Sequence, residues 1–370
     1  MGESLFNPLR LRLARRRRGL SKVKLARKAE LTTRSVYDFE SGKQRPADDT
    51  ASRLADSLEF PVSFFFRGDI EEPSPVVASF RSLKAMTAGE RDAALAAGAL
   101  AFELSDWIES RFELEPIDLP DLQDYGPEAA AMALRSRWRI GERPIGHMVN
   151  LLESKGVRVF SLAQEGNRVD AFSLWHREKP FVFLNTMKTA EHSRLDAAHE
   201  LGHLILHRHG APRGRDLEKD AQLFASSFLM PRGSVLATAP RAVVGGLERL
   251  IALKQVWKVS VAALAHRLHA LGVLSDWNYR TVCIQLAALG KSNEPAGIPR
   301  ETSTSLGLIF GDLRDAGVST ADVARALNLY TRDVEALIFG LSIGTVAEGS
   351  KSSSEDLDAT TRRKAFRVLG

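Results

Sequence analysis

Residues 189–209 read TAEHSRLDAAHELGHLILHRH, and the interpretation of this run decides what the chain can be. Thr189 can cap a helix there and Gly210 can end it. Along that helix Leu195, Ala198, Gly202 and Leu206 recur as a stripe suited to burial, with His199 and His203 beside it one turn apart. Both imidazoles therefore point the same way, and two histidines at i and i+4 can share one tetrahedral zinc ion. Glu200 is placed to take a proton from a water on that metal, whose pKa zinc lowers toward about 7. A surface helix with two satisfied histidines would show the same five residues. A third ligand separates the two cases, because a catalytic zinc site has three protein ligands and one open position.

Three positions compete for that role, with a substitute. His209 stands where a longer three-histidine pattern would put its last ligand, but Leu206 occupies the position where that pattern needs a glycine to turn the chain back. His207 lies in the same helical row, roughly 12 Å from His199 at 1.5 Å rise per residue, too far to share a metal. Glu218 opens the next helix, which Asp216 can cap, and its face continues through Ala221, Gln222 and Ala225. Small residues beside a carboxylate let that helix approach Gly202 closely, so Glu218 is the expected third ligand, with Asp220 on another face as the substitute.

The run from His199 to His207, followed by Glu218-Lys219-Asp220-Ala221-Gln222-Leu223-Phe224-Ala225 and Phe228-Leu229-Met230-Pro231, resembles the ImmA/IrrE family of zinc metallopeptidases. The likeness extends upstream to Phe183-Leu184-Asn185 and covers about 126–290. The resemblance implies cleavage of repressor proteins, often of the Cro/C1 type, and relief of repression in mobile-element, defence or stress responses. Fusion to a DNA-binding unit recurs in that family.

Around this motif the periodicity changes. From Gly156 to Leu162, Val169 to Trp175 and Lys179 to Asn185 the residues read as short strands between turns, giving an α+β domain with a small sheet inside a mainly α chain. Before it, residues 69–125 read as a connector punctuated by Ser74-Pro75 and Pro116 to Pro120. A helix from about Ala88 to Phe112 is marked at its start by Thr87 and Glu90, at capping-box spacing. Its alanines leave room for close packing against a neighbour or a homodimer partner.

Residues 1–68 carry a different signature. Phe6, Leu9 and Leu13 form a stripe, Gly19 breaks it, and Ser21 and Thr32 can cap helices over about Lys22 to Ala29 and up to Ser41, with Glu30-Leu31 as the turn. A fourth helix around Thr50 to Leu58 turns Ala51, Leu54, Ala55 and Leu58 inward. Leu20-Ser21-Lys22-Val23-Lys24-Leu25-Ala26 and Val36-Tyr37-Asp38-Phe39-Glu40-Ser41-Gly42-Lys43-Gln44-Arg45-Pro46 resemble the Cro/C1-type (Xre) helix-turn-helix family. Glu30 and Lys22 depart from that family's usual Gly and Gln. By the docking geometry of such units, Thr33, Arg34, Ser35 and Tyr37 face base edges while Lys22, Lys43 and Arg45 meet phosphates.

Charge supports a polyanionic partner: residues 1–66 hold 14 Lys/Arg against 8 Asp/Glu, whereas the whole chain is only +5. After a boundary at Asn293 to Pro299, residues 300–345 repeat a short-helix, turn, short-helix pattern with mixed charges, as suited to protein contact as to DNA. Residues 346–370 read as a disordered tail. A length of 370 suits two or three domains, Cys283 is the single cysteine, and no apolar run is long enough to cross a bilayer. No secretory signal is expected after the N-terminal arginines, so the cytoplasm is the expected compartment and a membrane is not an expected partner.

The functional expectation is a DNA-binding zinc endopeptidase acting on a repressor-type protein. The alternative is a transcription factor whose zinc domain senses or dimerises without proteolysis. Self-cleavage near Pro116 to Pro120 and triggering by nucleic acid are further variants.

Overall fold

The computed structural model describes residues 5–73, 79–80, 87–162, 170–208, 216–239, 246–290 and 294–339. His209, Gly210, the Ser74-Pro75 pair and the expected tail 346–370 lie outside them. The described chain is mainly helical around one four-stranded sheet in the order β1 (Ser79–Phe80), β3 (Ala171–His176), β4 (Lys179–Leu184), β2 (Arg158–Ser161). β2 runs parallel to β4, while β3 is antiparallel to both β4 and β1. The expected strands are present, β2 and β4 trimmed at their ends and β3 running from Ala171 to one residue past Trp175, and the two-residue β1 is an addition that sequence periodicity is too short to signal.

The sheet divides two apolar cores. Phe160, Phe172, Leu174, Phe181 and Phe183 face one way, and Val159, Ala171, Val182 and Leu184 face the other. This is the period-two alternation of a strand buried on both sides. Against the phenylalanine face lies α5 (Ala88–Glu109), capped by Thr87 and Glu90 in a full capping box, as expected. Gly98 lets α5 sit so close that a Cβ there would meet Pro73 at 2.9 Å and the Phe172 and Phe183 rings at 3.6 Å. Ala93 to Ala101 are buried within the chain, so the alanine stretch is consumed internally and offers no face to a second subunit.

The far side of α5 carries the N-terminal unit: α1 (Pro8–Arg17), α2 (Lys22–Lys28), α3 (Thr33–Glu40), α4 (Asp48–Leu58) and a 3-10 turn at Val62–Phe66. Asn7, Ser21 and Thr32 cap the first three helices through side-chain oxygens. Glu30 makes the turn between α2 and α3 in the left-handed region at φ 55°. The inward stripe of α1 differs from the expected one. Leu11, Leu13 and Ala14 are buried and Leu9 only half so, because Arg10 turns inward to donate to Gly68 and Glu103.

That rotation also corrects the meaning of the basic excess. Arg10 pairs with Glu103, Arg12 and Arg16 with Glu72, Arg15 with Glu40, and Arg18 with Asp333. Most of these carboxylates lie outside residues 1–66, so much of the local charge is neutralised by the rest of the fold. The cations left exposed around α3 are Lys24, Arg27, Lys28, Arg34, Lys43 and Arg45.

The C-terminal helices α14 (Thr304–Asp315), α15 (Thr320–Leu327) and α16 (Thr331–Leu337) repeat the backbone of α1 to α3. Gly19 and Gly317, Ser21 and Ser319, Ala26 and Ala324, Leu31 and Leu329, and Val36 and Val334 are equally spaced along the chain. Gly19 and Gly317 both have positive φ, Glu30 and Asn328 turn at 55° and 54°, and the amides of Leu31 and Leu329 donate 2.8 Å bonds to Ala26 and Ala324. Surface chemistry separates the two copies. Asp333, equivalent in position to Ser35, is buried and takes two bonds from Arg18, while Arg332 donates to Glu59. The start of α16 therefore faces the N-terminal unit.

Burial pushes the neighbouring Arg17 guanidinium down to about 10 even though Asp333 opposes the shift. Asp333→Ala leaves both arginines without this carboxylate. Breaking a buried pair from one side costs about 3–5 kcal/mol, and partial exposure of Arg18 brings the expectation to about 1–3 kcal/mol, read as a lower urea midpoint. Full retention of stability would show that this contact does not hold the two units together.

Candidate metal centre

The opposite face of the sheet carries α8 (Ala190–Leu206), capped by Thr189 as expected and ending at His207. Its N-terminal half is fixed by buried ions. Arg194 pairs with Glu301 and donates to the Ile145 carbonyl, while Lys254 bridges Glu191 and Glu294. Glu301 also accepts the amides of Met148 and Val149 at the start of α7 (Met148–Glu153), and Glu153 accepts those of Thr304 and Ser305. Residues 294–301, which overlap the boundary expected at Asn293 to Pro299, are therefore a strap hydrogen-bonded to the body. Its anchors are long-range, which local composition cannot reveal.

Next to α8 lies α9 (Leu217–Leu229), capped by the Asp216 side chain. A Cβ on Gly202 would meet Phe224 at 3.0 Å and the Ala221 backbone at 3.3 Å, so the helices touch where the sequence places its smallest residues. That approach brings Glu218 over the two histidines. His199 Nε2 lies 3.2 Å from one Glu218 oxygen, His203 Nε2 3.4 Å from the other, and the two Nε2 atoms 3.1 Å apart.

Two imidazole nitrogens and a carboxylate oxygen form a donor set for zinc. Four ligands at about 2.0–2.1 Å in a tetrahedron stand about 3.3 Å from one another, close to the separations seen here. The residues fit the ion. His199, His203 and Glu218 are also the group of metal-competent side chains found among the described residues, and Asp220 is not part of it.

Neighbouring groups complete the arrangement, and two of them, Ser173 and Trp175, are missing from the sequence reading. His203 directs Nδ1 to within 3.1 Å of His207 Nδ1, so His207 buttresses His203 from behind. Glu200 is wholly buried, and the Ser173 hydroxyl donates to its Oε2 at 2.7 Å. Trp175 Nε1 donates to the Leu204 carbonyl at 3.1 Å. A polar residue on the apolar side of a strand was the available signal for Ser173. Tyr279 stacks on His269 at 4.5 Å. A groove of about 500 Å³ is lined by His192 and Leu195 of α8, by Gln222 and Ser226 of α9, and on its third side by Ala263 and His266; His199, His203 and Glu218 do not line it.

Burial alone would raise the Glu218 carboxyl. Hydrogen bonds and positive charge from His199 and His203 outweigh it and hold the pKa at about 2. A depressed carboxylate contributes its stability above its unfolded value of 4.5 and loses it as pH falls toward 2. Metal-free protein should therefore lose urea stability between those limits, by a modest amount because Glu218 is 44% exposed. Glu218→Gln should flatten that part of the profile, and an unchanged profile would contradict the pairing.

The residues expected at DNA lie on and around α3, with Lys22 and Ser35 only partly exposed and Lys22 Nζ 3.5 Å from Glu40. Thr33, Arg34, Lys43 and Arg45 are exposed, and Arg34 is 90% so, with Nε 3.7 Å from Asp38. The Tyr37 ring lies under Lys22 Nζ at 4.5 Å and Lys43 Nζ at 5.4 Å. Ser35 is partly occupied by the cap, its hydroxyl 2.8 Å from that of Thr32. Among the described residues no helix is long and apolar enough to cross a membrane.

Residues 152–269 match the peptidase family described as the IrrE N-terminal-like domain, and residues 11–65 match the helix-turn-helix family. No curated protein matches the chain.

Proposed function

We propose that this chain, which joins an Xre-type helix-turn-helix unit to an IrrE/ImmA-like metallopeptidase domain, is a DNA-binding regulatory zinc endopeptidase that cleaves a repressor-type protein. The observation that carries the reading is the convergence of His199, His203 and Glu218 at tetrahedral spacing, with Glu200 on the next residue of the same helix. Zinc held by these three residues would leave one position open and supply Lewis acidity toward a peptide carbonyl and a water of lowered pKa.

The chain's own groups then divide the work. Glu200 takes the proton of the attacking water and passes it to the departing amine nitrogen. The groove along Leu195 and Gln222 receives an extended segment of the substrate. Thr33, Arg34, Ser35 and Tyr37 read base edges while Lys22, Lys43 and Arg45 hold phosphates, bringing the peptidase to a DNA-bound repressor. The setting is cytoplasmic.

The second reading, a transcription factor whose zinc domain senses or dimerises without proteolysis, draws on the continuous core that ties the helix-turn-helix unit to α5 and the sheet. Two variants discriminate. Glu200→Gln should keep one zinc per chain and wild-type DNA affinity while cleavage of a co-encoded Cro/C1-type repressor falls about 10²–10⁴-fold. Arg34→Ala should keep peptidase activity and weaken binding to a selected duplex by about 1–3 kcal/mol. A zinc-loaded wild type that cleaves no such repressor would leave the second reading standing.

A further inference from the structure

The side of the sheet that faces α8 is apolar at Val159, Ala171, Val182 and Leu184, and Ser173 interrupts it. Ser173 is 2% exposed. A hydroxyl in such a place is costly unless it is hydrogen-bonded, and alanine or valine would pack there with no polar group to satisfy. Its hydroxyl donates to Glu200 Oε2 at 2.7 Å and lies 3.2 Å from the Glu200 carbonyl oxygen. The strand beneath cannot drift, because Ser173 is paired with Val182 on one side and Ser79 on the other. Two residues along, Trp175 ties the same helix at Leu204, so the span between Ser173 and Glu200 is fixed at two points.

We propose that Ser173 is a positioning residue for Glu200, its hydroxyl holding the carboxylate in one orientation beside the metal ligands. Glutamate has three side-chain torsions, and the helix restricts only the first strongly. A donor on a rigid strand limits the others, the kind of outer support that keeps a reactive group within a fraction of an ångström of its working position. Without it the carboxylate would sample other rotamers, although α8 and the three ligands would stay in place. This inference rests on the reading of Glu200 as the proton-transfer group.

The test uses the full chain loaded with zinc, as wild type, Ser173→Ala, Ser173→Thr, Glu200→Gln and the double variant Ser173→Ala/Glu200→Gln. Each is assayed for zinc content, for kcat and KM on the repressor, and by crystallography. Ser173→Ala should retain one zinc and an unchanged KM, lose about 10–100-fold in kcat, and show the Glu200 carboxylate displaced from its wild-type position. Ser173→Thr, which keeps the hydroxyl, should recover most of kcat. In the Glu200→Gln background the serine substitution should cost nothing further, because the group it positions is already disabled.

Wild-type kcat with an undisplaced carboxylate in Ser173→Ala would overturn the proposal. So would an equal loss of residual rate in both backgrounds, which would mark a general structural role. A fully active Glu200→Gln would instead overturn the catalytic reading of Glu200. The carboxylate position in Ser173→Ala would still decide whether Ser173 orients it.

Discussion

The contact of α8 with α9 at Gly202 is the constraint on which the candidate centre depends. One helix can present two imidazoles on one side, but a third donor at equal spacing has to come from elsewhere in the fold. A helix interior normally disfavours glycine by about 1 kcal/mol relative to alanine. Here the missing side chain lets the Ala221 backbone come close, and Glu218, one turn earlier on α9, then reaches both histidines. A larger residue at position 202 would separate the helices and remove the third donor while leaving both histidines intact.

Close helix packing is useful only if α8 itself is fixed, and the sheet and the strap do this from two directions. The sheet holds the C-terminal half through Ser173 and Trp175, and buried pairs at Glu191 and Arg194 hold the N-terminal half. Replacing such pairs with apolar residues is often neutral or stabilising, so their value need not lie in added stability. They specify position, since a misplaced helix would strand charges in an apolar interior. Glu301 and Glu153 extend the same logic to α7 and α14, each neutralising the exposed amides at a helix start.

Features with a short-range physical cause were legible in the sequence. Caps at Ser21, Thr32, Thr87 and Asp216, the strand alternation, and the small-residue faces of α8 and α9 follow from local periodicity and side-chain chemistry. Even Glu218 could be reached, because the size of its neighbours limits which helix can come near Gly202. What stayed hidden depends on residues far apart in the chain. Counting charges cannot show that Arg18 meets Asp333 or that Arg10 meets Glu103. The fate of the α5 alanines was likewise set by the phenylalanine face of the sheet, not by the helix itself.

The two helix-turn-helix copies show how far backbone and use can part. Both close their turn with a left-handed residue and the same amide-to-carbonyl bond, so local geometry does not distinguish them. Their surfaces differ at the start of the third helix of each copy, where Thr33 and Arg34 recur as Thr331 and Arg332 but Ser35 becomes Asp333. A serine there leaves the helix start open to an anion. An aspartate would repel phosphate, but it suits the arginine-rich end of α1, where Arg17 and Arg18 converge. The same fold can thus offer one copy to solvent while the other serves as its internal partner, and a single acidic residue in the first turn is enough to decide between a polyanion and a cationic protein surface.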